Sequence, residues 1–284
     1  MKPARFTYHA PTTVEEAVAV LSQVAPHDGR VLAGGQSLVP AMALRVALPG
    51  HLVDINGIAE FDGLAVEGGE LSIGACVRHS AFHRPVLDGP LGRLLAAVVR
   101  HIACYPVRTR GTFCGSLAHA DPASEWCLVA ATLGAIMIAK SVRGTRAIAA
   151  KDYFKGLMAT ALAPDELLAE ARLPVLPTDA RWGFYEFNRR AGDFALVMAL
   201  GVYRIEAGVI ADPRVGVGGI EDHPRRIHAA EAVLEGGAPG AAVFRAAADA
   251  AAEALDPTDT QPGTAAYKRD LARTAVRRAL EAAA

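Results

Sequence analysis

Two stretches of this chain carry residue types suited to holding an anion. Residues 108–125 read Arg-Thr-Arg-Gly-Thr-Phe-Cys-Gly-Ser-Leu-Ala-His-Ala-Asp-Pro-Ala-Ser-Glu, so that Gly111, Thr112, Gly115 and Ser116 follow closely on two arginines. Small residues let a backbone come near a ligand and aim N–H groups at it. Asp121-Pro122, with Glu125 just beyond, has the composition of a helix start. Bare N–H groups beside a helix N-terminus suit phosphate. The second stretch, residues 30–38, is Arg-Val-Leu-Ala-Gly-Gly-Gln-Ser-Leu. It reads as a short buried strand, a Gly34-Gly35 turn, and the start of a helix-like segment over residues 38–48. Strand, glycine turn and helix start is a common construction for a phosphate site. Either stretch alone fits a polar loop or a tight turn equally well. The pair is more specific, because two N–H-lined loops can hold the two charges of a dinucleotide pyrophosphate from both sides. Neither G-x-x-x-x-G-K nor G-x-G-x-x-G is present, and Gly216-x-Gly218-Gly219 also misses the required spacing.

Other reactive side chains form no such pattern. The four cysteines, Cys76, Cys104, Cys114 and Cys127, include no C-x-x-C pair. A zinc site from Cys104, Cys114, Cys127 and His119 has the wrong spacing, so no metal is expected. Cys114 and Cys127 read as small packing residues rather than redox thiols. His9, His27, His79, His83 and His223 read as surface or turn residues. Arg108 and Arg110 fit phosphate or partner contacts as well as solvated loop positions. No acid–base residue stands out as catalytic.

The elements that must position the two stretches alternate between strand and helix patterns. Thr12 or Thr13 caps a helix with Val14, Ala17, Val18 and Leu21 on one face. Strands are expected at residues 51–55, at 64–66 with 71–74 as a hairpin, and at 135–139 with 145–148. Helices are expected at 91–103 and 126–133. A Pro-rich linker over 174–179 marks a boundary. Beyond it, strands are expected at 182–187, 195–205 and 215–220 with one interposed helix, then helices at 228–235, 241–255 and 265–282. The 284 residues are 52% hydrophobic, with a mean hydropathy of +0.23, enough for a sizeable core. A formal net charge of −1 argues against nucleic-acid binding. Unpatterned cysteines suggest a reducing compartment. The N-terminus lacks a signal core, and the longest apolar run, residues 126–139, is too short to span a bilayer. A cytoplasmic protein with no transmembrane segment is expected.

The paired loops resemble those of the FAD-binding medium subunit of molybdenum hydroxylases, the family of carbon monoxide and xanthine dehydrogenases. One loop is similar at residues 33–38 and the other at residues 110–122. Residues 51–55, 165–168, 190–196 and 267–280 are similar to further family segments. The resemblance implies an α+β fold: a two-subdomain FAD-binding domain of the vanillyl-alcohol-oxidase type followed by a smaller α+β C-terminal domain. The expected limits are residues 1–176, with subdomains of about 1–56 and 57–176, and residues 177–284. It implies FAD contacts from Leu32, Ala33, Gly34, Gly35, Gln36, Ser37 and Leu38, and from Thr112, Phe113, Cys114, Gly115 and Ser116, with Asp121 accepting from FAD hydroxyls. Ile102 would cover the adenine, and Leu168 and Phe194 would lie near the flavin ring.

Two positions depart from the family. Cys114 stands where the family has glycine; if its φ were positive, a side chain would cost about 1 kcal/mol or more. Phe194 replaces a common tyrosine. The implied function is an electron-transfer subunit that works with a molybdopterin-binding large subunit and a 2Fe–2S small subunit, as a dimer of heterotrimers serving an external acceptor. A self-contained flavin oxidase and a nucleotide-binding assembly protein without redox function are the alternatives.

Overall fold

The structure is a computed structural model that describes residues 2–261 and 263–284. Its first unit is a parallel sheet of β1 (Thr7–His9), β2 (Gly29–Leu32) and β3 (His51–Asp54), in the order β1-β3-β2. Helix α1 (Val14–Val24) covers it. Thr13 caps α1 by accepting from the Glu16 amide, while the Glu16 carboxylate takes the Thr12 amide. Val14, Ala17, Val18, Leu21 and Val24 bury the face that the spacing predicts. Helix α2 (Leu38–Ala43) is shorter than the helix-like segment over 38–48. The chain breaks out of it at Arg45, whose φ is 58°. Leu44, Val46 and Leu48 are left exposed.

The second unit is an antiparallel sheet in the order β4-β5-β10-β6-β7. Strands β4 (Leu64–Glu67) and β5 (Glu70–Gly74) turn at Gly68-Gly69, both with positive φ, as a two-residue hairpin of this twist requires. Helix α3 (Pro90–Val98) ends five residues short of the expected limit at 103. Helices α4 (Tyr105–Arg108), α5 (Phe113–His119) and α6 (Glu125–Leu133) follow. Strands β6 (Ile136–Ser141) and β7 (Gly144–Ala149) pair as expected. A small piece formed by α7 (Ala150–Tyr153), β8 (Phe154–Gly156) and β9 (Ala159–Thr160) leads to β10 (Leu167–Pro174).

The third unit has strands β11 (Arg181–Phe187), β12 (Val197–Glu206), β13 (Val209–Gly218) and β14 (Arg225–Arg226) in sequential antiparallel order. No helix interrupts β11–β13 among the described residues; residues 188–196 are a loop. β12 and β13 join through Ala207-Gly208, with φ of 48° and 84°. That tight turn makes β13 begin six residues earlier than the expected strand at 215–220. Helices α8 (His228–Leu234), α9 (Ala241–Ala254) and α10 (Ala265–Ala282) complete the chain.

Helix α6 explains how the second and third units join. Nearly every residue from Glu125 to Leu133 is buried, because α5 and β10 cover one side and β13 the other. A Cβ on Gly216 would lie 1.8 Å from Thr132 Oγ1. Gly216 is therefore a packing position at which β13 meets the side chains of α6, while Gly218 and Gly219 pack against Met198, Pro122 and the Ala195-Leu196 backbone. On the far face, a Cβ on Gly183 would lie 2.0 Å from the Ala279 carbonyl, so α10 seats directly on β11.

Candidate functional site

The two glycine stretches meet backbone to backbone. A Cβ on Gly34 would lie 2.3 Å from the Arg110 carbonyl oxygen and 2.6 Å from Gly111 Cα. Gly35 has a φ of 70°, the left-handed turn that glycine adopts without a steric penalty. The amides of Gly34, Gly35, Gln36, Ser37 and Leu38 have no acceptor among the described residues. Five consecutive free N–H groups on a partly exposed turn form an anion-binding concavity. The Ser37 side chain makes no capping bond, while Gln36 Nε2 reaches the Gly34 carbonyl at 3.2 Å.

The second stretch is not the loop its glycines suggest. Thr112 caps α5, its Oγ1 accepting from the Gly115 amide at 2.9 Å. Phe113 N–H bonds the Val77 carbonyl and Ser116 N–H the Thr112 carbonyl. The amides of Thr112 and Cys114 are left without an acceptor among the described residues. The helix forms because Phe113, Cys114 and Leu117 face the core. Phe113 stacks between Phe82 and Trp126 there. Cys114 has no positive φ, so its side chain is unstrained; Sγ donates to the Ile73 carbonyl at 3.4 Å. Burial pushes the Cys114 and Cys127 thiols above their ordinary range. Asp121 does not cap the next helix. Its Oδ1 accepts from the Ala123 amide at 2.8 Å in a local turn, and Ser124 takes the cap position of α6.

Two residues that carry no motif hold the stretches together. Asn56 donates to the Ala33 carbonyl at 2.8 Å and accepts from Arg78, and Arg78 donates to the Arg110 carbonyl at 2.6 Å. Asn56 closes the β3 turn and Arg78 opens the segment after β5, so only the fold brings them together. Burial disfavours the Asp54 carboxylate, but hydrogen bonds from Tyr8 and Asn56, helped by the Arg110 charge, hold its pKa below the ordinary value. His79 is buried, contrary to a surface assignment. Its Nδ1 accepts from Trp126 Nε1 at 2.9 Å, and its ring lies against Gly111. Burial, with Arg108 and Arg78 nearby, lowers its pKa to about 3, so a neutral imidazole supports the second stretch.

Arg108 is a structural clamp rather than a free phosphate ligand. It donates to the carbonyls of Arg100, Ile102 and Ala103 at 3.2, 2.8 and 3.1 Å. Those bonds, and the Ala103 φ of 42°, end the helical path after α3 and fix Ile102. Gly192, in the 188–196 loop, packs on Ala103: its Cβ would lie 3.4 Å from the Ala103 carbonyl. That contact sets the loop carrying Phe194, 76% exposed, against the turn that follows Ile102. Leu168 lies in the main core, 4% exposed. The structure thus unites residues 33–38 with 110–116, and Ile102 with the Phe194 loop, while the side chains of Phe113, Cys114 and Leu168 serve the core.

A strand–turn cradle for an anion, joined to a capped short helix, fits a dinucleotide pyrophosphate. Comparison with known proteins specifies it. The family described as the FAD binding domain in molybdopterin dehydrogenase matches residues 4–176, and the CO dehydrogenase flavoprotein C-terminal domain matches residues 182–283. The chain belongs to this family of FAD-binding medium subunits, whose members are oxidoreductase subunits. It is 36% identical to the nicotine 6-hydroxylase medium subunit of Paenarthrobacter nicotinovorans, over 99% of this chain and 98% of the relative. It is 35% identical to the carbon monoxide dehydrogenase medium chain of Hydrogenophaga pseudoflava, over 100% and 98%. The solved carbon monoxide dehydrogenase from that organism superposes with a TM-score of 0.95 at 37% identity, covering 100% of this chain and 98% of the other. The cofactor is FAD. The donor set fits it: free amides suit the pyrophosphate, and the Asp121 carboxylate suits sugar or polyol hydroxyls. Among the described residues, no helix is long and apolar enough to cross a membrane.

Proposed function

We propose that this chain is the cytoplasmic electron-transfer subunit of a molybdenum hydroxylase complex. It takes electrons from a 2Fe–2S small subunit and passes them to an external acceptor, while a molybdopterin-binding large subunit acts on the substrate. The complex is a dimer of heterotrimers. The observation that carries the site is the run of five unpaired amides at residues 34–38, held against Arg110. Bound FAD supplies the redox chemistry. The chain's own residues bind and orient the cofactor.

In this reading the amides of residues 34–38, with Leu32 and Ala33 behind them, take one side of the pyrophosphate. Thr112, Cys114, Gly115 and Ser116 take the other, and Phe113 supports them from the core. The free Cys114 amide, rather than its thiol, is the contact at that position. Arg78 and Arg110 add positive charge without closing on the phosphates. Asp121 accepts from hydroxyls, Ile102 covers the adenine, and Phe194 borders the flavin ring, as does Leu168 through its backbone, its side chain being held in the core. The FAD-binding domain spans residues 1–176, with subdomains 1–56 and 57–176, and residues 177–284 form the C-terminal domain. The matched spans and the separate sheets support this division.

Co-expression with the genes beside it tests the reading. The expected result is a complex in which substrate bleaches the flavin only when the molybdenum and iron–sulfur subunits are present. A lone chain that oxidises an organic substrate would contradict it.

A further inference from the structure

Where β11 meets the turn after α3, the protein buries an acid that cofactor binding does not use. The Glu186 side chain is 0% exposed, and its Oε2 has no hydrogen-bond partner among the described residues. Oε1 accepts from Asn188 Nδ2 at 2.9 Å. Nδ1 of His101 lies 3.6 Å from Oε2, and the His101 side chain is 41% exposed. The imidazole, held edge-on to Phe184 with ring centroids 4.9 Å apart, therefore links a buried acid to solvent. A buried carboxylate with a donor to only one of its oxygens is costly when ionised, whereas a protonated carboxyl can donate toward the imidazole.

A second buried acid, Glu125, opens α6. Burial, then the charges of Glu186 and Asp121, push it up to about 8, against the opposing influence of Arg108. Burial, only partly offset by the Asn188 hydrogen bond, pushes Glu186 up to about 7, and burial lowers His101. All three shifts favour an uncharged cluster with protons on the acids.

The position of the cluster suggests its use. His101 directly precedes Ile102, Asn188 opens the loop that carries Phe194, and Gly192 of that loop packs on Ala103. Glu186 therefore sits at the base of the loop assigned to the flavin ring. We propose that Glu186 is the proton store of the flavin site and His101 its inlet. The inference rests on the flavin reading above. An electron pair from an iron–sulfur donor, or from dithionite in its place, brings no proton. Full reduction of the flavin takes up two. Glu186 gives one, leaving a carboxylate, and water restores it through His101; solvent supplies the other.

The test uses the full chain in two measurements. In the flavin-free chain labelled with 13C-glutamate, a carboxyl signal should titrate in the neutral range, and Glu186→Gln should remove it. Carboxyls that all titrate in the ordinary acidic range would overturn the proposal. In the FAD-loaded chain, the plot of flavin midpoint potential against pH should change slope where Glu186 titrates, and Glu186→Gln should straighten it. A slope change that survives Glu186→Gln would overturn the proposal. His101→Gln, on a half-exposed side chain, provides a second variant should Glu186→Gln not fold. It should slow proton uptake after rapid dithionite reduction severalfold, read with a pH dye, and an unchanged rate would count against the inlet. Failure to bind FAD at all would reject the flavin reading and leave the carboxyl titration standing as a separate result.

Discussion

The Cβ that Gly34 lacks would lie 2.3 Å from the carbonyl oxygen of Arg110. The carbonyl belongs to backbone and a Cβ is fixed directly to Cα, so neither can swing aside as a side-chain tip could. Gly34→Ala should therefore push the two stretches apart. We expect a loss of FAD affinity of about 100-fold, or ~3 kcal/mol, of the order of an overpacked core position. Flavin fluorescence quenching measures it, with circular dichroism as the control that the rest of the chain stays folded.

Asn56 and Arg78 bridge the same two stretches through Ala33 and Arg110. Asn56→Ala removes the donor to Ala33 and leaves Arg78 with one partner fewer. The expected cost is about 1–3 kcal/mol of stability, the typical penalty for unpairing buried polar groups. FAD affinity should fall about tenfold as the turn loosens. Chemical denaturation and flavin titration separate the two effects.

Cys114 occupies a helical, buried position, and its side chain contacts Ile73. Restoring the family's glycine should then harm rather than help. Cys114→Gly is expected to cost about 1–2 kcal/mol, from helix propensity and lost burial, with FAD affinity nearly unchanged. Thr112→Ala, which removes the cap of the same helix, should cost about 1 kcal/mol. Thermal unfolding of the two variants beside the parent checks both.

Glu186 binds its proton more tightly in the folded chain, with a pKa raised from 4.5 to about 7. Its contribution to stability is therefore present below pH 4.5 and is lost as pH rises through 7. The loss is on the order of 3 kcal/mol. Glu186→Gln cannot ionise, so its stability relative to the parent should improve as pH rises across this range. Denaturant midpoints taken at acidic, neutral and mildly alkaline pH decide it; a difference independent of pH would count against the raised value.

Much of the site was legible because its signals are local. The strand–Gly34-Gly35–helix order, the α1 cap at Thr13 and the Gly68-Gly69 hairpin depend on neighbours in sequence, and the structure keeps them. What was misread depends on distant partners. Helix α5 looked like a loop because Gly115 and Ser116 lower helix propensity, and only the docking of Phe113 against Phe82 and Trp126 offsets that. Helix α3 stops early because Arg108 gathers the carbonyls of 100, 102 and 103. His79 looked like a surface residue because nothing nearby in sequence announces Trp126 as its partner. Nothing local in the sequence marks Asn56 and Arg78: an asparagine after a strand and an arginine before a turn are ordinary until the fold places them between two loops.

The central claim is that this chain holds FAD by its pyrophosphate between residues 34–38 and 112–116. Titrating the purified, flavin-free chain with FAD and with riboflavin, which shares the ring but has no phosphate, tests it most directly. The account predicts saturation at one FAD per chain, with riboflavin bound at least about 100-fold more weakly. A chain that takes up no flavin, or that binds riboflavin as tightly as FAD, would contradict it.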